Sequence, residues 1–179
     1  HRIGYQLLGC ALKEIFKITV PLARLLIQTN AYGKPYLVNF PWIYFSISHN
    51  KTNVVCSISN HEIGVDVENY HKVTNHLIDR VLTSVEINRL KELSPDDPAF
   101  DVLFNQYWTL KESYMKWRAK GLSIDPKRIS FNSNLLNGDK IVSSDRQAKF
   151  FQFILRNQSV LSVCCSAAEQ ESPRIRVVD

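Results

Sequence analysis

The spacing of apolar positions changes several times along this chain, and each change marks an element. Over residues 3–17, Leu7, Leu8, Ala11, Leu12 and Ile15 recur at helical spacing. This predicts an amphipathic helix, and Pro21 prevents it from continuing. Residues 42–48 are rich in aromatic and β-branched side chains and predict a strand with Ser46 and Ser48 on one face. His49 and Asn50 end it, and residues 54–59 predict the strand that completes a hairpin. The polar break Asn60-His61-Glu62 precedes Gly64-Val65-Asp66-Val67-Glu68, another short strand. Residues 75–82 predict a short helix with Leu77, Ile78, Val81 and Leu82 inward. Thr83-Ser84-Val85-Glu86 has the capping-box pattern, with Thr83 as N-cap and Glu86 at N3. It opens a helix to about Leu93, with Val85, Leu90 and Leu93 as apolar positions. The aspartates of the loop at 94–98 serve turns and the N-cap of the next helix, with Pro98 at N1. Residues 99–118 form a long, aromatic-rich helix that Gly121 stops. Strands follow at 129–131, 140–142, 150–155 and 160–165, with a turn at Asn137-Gly138-Asp139. The polar tail after Ala168 is expected to be poorly ordered.

Composition narrows the class. The chain has 179 residues, enough for one ordinary domain or two small ones. It is 45% hydrophobic and 22% charged, as soluble globular proteins are. No apolar run approaches the ~20 residues of a membrane span, and no basic-then-apolar leader opens the chain. A cytoplasmic protein without a membrane segment is expected. The chain starts at His1 without an initiator Met and reads as a shortened piece. Cys10, Cys56, Cys164 and Cys165 form no Cys-x-x-Cys pair, so buried free thiols in a reducing cytosol are expected. A net charge of +5 suits a polyanionic partner. No zinc-finger spacing, basic amphipathic helix or aromatic-glycine RNA signature accompanies it, so no nucleic acid is assigned.

The chemistry concentrates between Gly64 and Lys116. On the strand at 64–68, Asp66 and Glu68 project from one face and the two valines from the other. Two like charges side by side gain nothing structurally. They suit Mg²⁺, which takes one or two carboxylates, waters and substrate phosphates. On the long helix, Trp108, Glu112 and Lys116 fall on one stripe at i, i+4 and i+8. The alternative for Glu112 and Lys116 is an ordinary helix salt bridge worth ~0.3–0.5 kcal/mol. Upstream, Tyr32-Gly33-Lys34-Pro35 is a turn. Gly33 permits positive φ, and Pro35 biases Lys34 to an extended backbone that aims its ammonium outward, toward an anion. Ser48 and His49 end a strand, where an imidazole can donate to a phosphate or merely satisfy the strand end.

Gly64-Val65-Asp66-Val67-Glu68, followed some forty residues on by Trp108-Thr109-Leu110-Lys111-Glu112-Ser113-Tyr114-Met115-Lys116, resembles the signature of the 4′-phosphopantetheinyl transferases, in particular the surfactin-synthetase-activating (Sfp) type. Tyr32-Gly33-Lys34-Pro35 and Phe45-Ser46-Ile47-Ser48-His49-Asn50 match upstream pieces of that family, in order. The resemblance implies an α+β fold of two similar subdomains related by pseudo-twofold symmetry. Their boundary falls near Glu62, giving halves at 1–61 and 62–179 with the first shortened at its N-terminus. It implies a monomer that moves the 4′-phosphopantetheine arm of coenzyme A to a serine of an apo acyl, peptidyl or polyketide carrier protein, releasing adenosine 3′,5′-bisphosphate. It assigns Asp66, Glu68 and Glu112 to Mg²⁺, and Glu112 and Lys116 to catalysis. Gly33, Lys34, Pro35, Ser48, His49 and Lys116 would bind coenzyme A, with Arg2 and Lys13 as looser candidates for its 3′-phosphate. Glu112 would take the serine proton directly or through a metal-bound water. Trp108 is expected to be a packing residue, Lys111 to pair with a carboxylate or touch substrate, and Glu86 to cap its helix. The alternatives are a Mg²⁺-dependent nucleotide-pyrophosphate hydrolase and a non-catalytic basic binding module.

Overall fold

Two long helices each lie across an antiparallel sheet in the computed structural model, which describes residues 2–120, 123–132, 135–138, 140–156, 158–169 and 172–176. The fold is α+β. Helix α1 (Arg2–Phe16) turns Leu8 and Leu12 inward. Strands β1 (Ile27–Thr29) and β2 (Pro35–Leu37) form a small ladder with Ile27 opposite Leu37. Strands β3 (Tyr44–His49) and β4 (Val54–Ser59) form the expected hairpin. Leu8, Leu12, Leu37, Ile43 and Phe45 share a core that joins α1 to the hairpin and the ladder. Ile15, placed on the apolar face by its spacing, is 61% exposed, because α1 buries only the stripe through Gly4, Leu8 and Leu12.

A further, three-stranded sheet starts at β5 (Ile63–Asn69). Helices α2 (Asn75–Val81), α3 (Ser84–Leu90) and α4 (Pro98–Trp117) follow. Strands β6 (Ala148–Leu155) and β7 (Ser159–Ser166) complete a three-stranded sheet in the order β5-β7-β6. The helix ends form as their residues dictate. Thr83 and Glu86 make the capping box, and Asp97 accepts from Ala99 N at 2.8 Å with Pro98 in the first turn. Helix α3 is shorter than its spacing predicts, and Val85 is 54% exposed instead of inward.

Alternation on β5 sorts its side chains by layer. Val65 and Val67 join Leu161, Val163, Phe151 and Phe153 in a core that also takes Tyr44 of β3 and Val55 of β4. The other face, carrying Gly64 and Asp66, lies under α4. A buried hydroxyl clips the β3–β4 turn to the three-stranded sheet: Ser159 Oγ accepts from Asn50 (3.3 Å), Asn53 (3.0 Å) and Asn69 (2.9 Å) side-chain amides.

The strands expected at 129–131 and 140–142 do not form. A single bridge, Phe131 to Ser143, stands there. The backbone of the first is instead engaged by side chains, since Lys111 donates to Ile129 O and Glu86 accepts from Phe131 N. Gly121 and Asp139, expected in a helix stop and a turn, lie outside the described residues. In the tail, Arg176 pairs with Glu14 of α1 at 2.7 Å.

Helix α4 meets β5 backbone to backbone at Gly64. A Cβ there would overlap Ser113 O and Trp117 N, which are main-chain atoms that cannot rotate away. Gly64→Ala is expected to lower stability by about 1–3 kcal/mol through overpacking. Gly9→Ala in α1, with nothing within 4 Å of the added carbon, is expected to be neutral or stabilising by up to about 1 kcal/mol. Urea unfolding midpoints check both, and equal midpoints for the two variants would sink the account.

Candidate active site

Where α4 crosses β5, a cavity of about 810 Å³ opens. Asp66 and Glu68 reach it from β5, Trp108, Glu112 and Lys116 from α4, and Ser48 and His49 from the end of β3. Gly33 and Pro35 line it from the turn before β2. The side chains from β5 and α4 are placed by the periodicity of their elements: every second residue on β5, every fourth on α4.

Asp66 is the centre of the polar contacts. Ser48 Oγ donates to Asp66 Oδ1 at 2.8 Å. Lys116 Nζ donates to the same oxygen at 2.7 Å and to Ser48 Oγ at 2.9 Å. The second oxygen, Oδ2, is buried with no hydrogen-bond partner among the described residues. Burial pushes the Glu112 carboxyl up to about 7; the Asp66 and Glu68 charges add to the rise and Lys116 opposes it. Glu68 is raised by burial and by Asp66, while His71, Lys116 and a hydrogen bond from the Trp108 indole hold it down. Trp108, expected to be a packing residue, therefore also faces the cavity.

These carboxylates are a fit for a cation in charge, though not yet in closeness. Among the described residues no group of three or more His, Cys, Asp or Glu is drawn together tightly enough to hold a metal ion. Lys116 supplies the positive charge beside Asp66. The unpartnered Asp66 Oδ2 and the mutual repulsion of three acidic groups are what a divalent cation would relieve.

Other expected residues stand elsewhere. Lys34, expected to point outward, has a side chain only 13% exposed; its ammonium turns back to Glu62 Oε2 at 2.6 Å and Ile63 O at 3.2 Å. The carboxylate and carbonyl at the start of β5 offer it more than solvent does. Gly33 has φ 85°, as its turn requires. Arg2 and Lys13 are exposed on α1, which sends Tyr5 into the cavity instead. Lys111 reaches neither Glu112 nor the cavity; it is buried against Glu86, 2.9 Å away. Arg80, Leu77, Ile124 and Pro126 also line the cavity. Nothing in their own sequence neighbourhoods distinguishes them from surface or core positions.

The sequence model of the 4′-phosphopantetheinyl transferase superfamily matches residues 62–164. The chain is 35% identical to 4′-phosphopantetheinyl transferase gsp of Aneurinibacillus migulanus over 107 residues, which is 60% of this chain and 44% of that protein. It is 32% identical to 4′-phosphopantetheinyl transferase Sfp of Bacillus subtilis (strain 168) over 97 residues, 54% of this chain and 42% of that protein. The chain thus spans under half the length of these relatives. A solved holo-(acyl-carrier-protein) synthase from Bacillus anthracis, in complex with CoA (3′,5′-ADP), aligns over 60% of this chain and 96% of its own, with TM-score 0.46 and 18% identity, too distant to bear on the site.

The Glu112 shift has a consequence for stability. Between the ordinary value of 4.5 and about 7, the folded protein keeps a proton on Glu112 that the unfolded chain has released. Stability contributed here is therefore lost as pH rises through that window. Glu112→Gln removes the ionisation. Its unfolding free energy relative to wild type is expected to change little between pH 4.5 and pH 5 and to gain about 2–3 kcal/mol by pH 7.5. Urea unfolding across that range tests it; a difference independent of pH would refute the shared-charge picture.

Proposed function

The chain belongs to the 4′-phosphopantetheinyl transferase superfamily, and from that premise we propose that it moves the 4′-phosphopantetheine arm of coenzyme A onto a serine hydroxyl of an apo acyl, peptidyl or polyketide carrier protein. Adenosine 3′,5′-bisphosphate is the second product. One observation carries the reading: Asp66, Glu68, Glu112, Lys116, Ser48 and His49, drawn from three separate elements, face one cavity.

In this reading the serine oxygen attacks the phosphorus attached to the pantetheine arm. The bond from that phosphorus to the bridging oxygen breaks, and the electron pair leaves with the adenosine bisphosphate. The serine proton goes to Glu112, directly or through a water molecule. Lys116, already at the Asp66 edge of the cavity, offsets negative charge on the leaving phosphate. His49 would donate a hydrogen bond to coenzyme phosphates, Ser48 would do so on turning its hydroxyl away from Asp66, and Gly33 and Pro35 line the same cavity. Lys34 would join them on exchanging Glu62 for a phosphate. Asp66, Glu68 and Glu112 would hold Mg²⁺, which would supply positive charge against the charge that develops during transfer. The two units are proposed to divide near Glu62 as similar halves of a monomeric cytoplasmic enzyme.

Intact-protein mass spectrometry of an apo carrier protein, incubated with this protein, coenzyme A and Mg²⁺, tests the proposal. A mass gain of one phosphopantetheine arm is expected, abolished by EDTA and slowed about 10²–10⁴-fold by Glu112→Gln, the range for loss of a general base. Coenzyme A consumed without a mass gain would replace the proposal with pyrophosphate hydrolysis. Coenzyme A left intact would leave a non-catalytic binding protein.

A further inference from the structure

Lys111 precedes Glu112 on α4 but points the opposite way, into the protein, where its side chain is 0% exposed. The ammonium donates to Pro126 O at 2.9 Å and Ile129 O at 2.6 Å, and pairs with Glu86 Oε2 at 2.9 Å. Those three partners use all the donors an ammonium has. Glu86, equally buried, accepts from Thr83 N at 2.8 Å and, through Oε1, from Phe131 N at 3.0 Å. One ion pair therefore grips three main-chain atoms of residues 126–131 and ties them to α4 and to the start of α3. The same segment supplies Pro126, and its neighbour Ile124, to the cavity wall that Glu112 shares.

Stability alone does not account for this arrangement. Burying two charges costs about as much as their attraction returns, and apolar replacements of similar volume are often neutral or better. What an apolar pair cannot do is hold two carbonyls and an amide at fixed positions.

We propose that Lys111 and Glu86 are positioning residues of the transfer site, fixing the wall made by Ile124 and Pro126 beside Glu112 so that the reacting groups are held in line. The role rests on the transferase reading. It acts on the part of the cavity wall that Ile124 and Pro126 supply.

The test is the charge-free double variant Lys111→Met/Glu86→Gln, compared with a wall-trimmed variant, Ile124→Ala/Pro126→Ala. The charge-free variant is expected to unfold near the wild-type urea midpoint. Amides of residues 127–131 should exchange hydrogen faster, kcat should fall about tenfold, and KM for coenzyme A should stay within about twofold, as for a small misplacement at the reacting centre. The wall-trimmed variant should show the same kcat loss with the ion pair intact. A wild-type kcat in either variant overturns the role, and the wall-trimmed variant decides alone if the charge-free one does not fold. Wild-type protein that transfers nothing would sink the underlying reading and this role with it. Wild-type transfer matched by an unaltered charge-free variant would sink this role alone.

Discussion

A missing side chain governs the layout of this molecule. At Gly64 the backbone of β5 lies against the backbone of α4, closer than any Cβ permits. That approach sets how far the α4 stripe of Trp108, Glu112 and Lys116 stands from the β5 pair of Asp66 and Glu68. With any other residue at this point the helix would ride higher, and Lys116 would lose its reach to Asp66 and Ser48. The cavity follows from the crossing, and the surrounding layers hold the crossing in place. Ser162, opposite Asp66 on β7, donates to Thr109 of α4 at 2.8 Å, and Gln152 of β6 bonds Ser162 and the Gln106 carbonyl. A polar seam under the helix thus fixes its rotation as well as its height.

The electrostatic consequence is a site held away from its own preference. Three acidic groups and one lysine share a partly desolvated space, and the balance makes Glu112 reluctant to ionise at neutral pH. Burial is the largest cause, and the neighbouring carboxylates compound it. A second lysine one residue from Glu112 contributes nothing to this balance, because α4 turns it into the protein. Two adjacent lysine-bearing faces of one helix therefore serve separate ends, one electrostatic and one architectural.

Much of this was legible in the sequence where a local pattern is decisive. Alternation predicted that Asp66 and Glu68 leave one face of β5, and the α4 stripe predicted that Glu112 and Lys116 travel together. The caps at Thr83 and Asp97 fixed helix starts because their side chains act within three residues. What was not legible depends on contacts distant in sequence. Residues 129–131 have strand-like composition, yet buried side chains take their backbone groups. Lys34 turns back because Glu62, twenty-eight positions away, meets it. Arg80, Ile124 and Pro126 reach the cavity only through assembly of the whole unit. Burial of Lys111 did leave a trace: it falls on the α4 stripe through Phe100, Phe104, Tyr107 and Tyr114, all buried, where a charge needs an internal partner.

The clip at Ser159 bears on how the cleft meets a ligand. Amides from the hairpin turn and from the end of β5 converge on a single hydroxyl, so His49 on one wall and Glu68 on the other are fastened to a common point. Walls joined this way have little freedom to hinge apart or swing shut about the hairpin. A molecule touching both would enter a preformed slot, and the ordering of the two sides would already be complete when the chain folds. Recognition would then depend on the fit of the incoming groups, with little of their binding energy diverted to moving the protein.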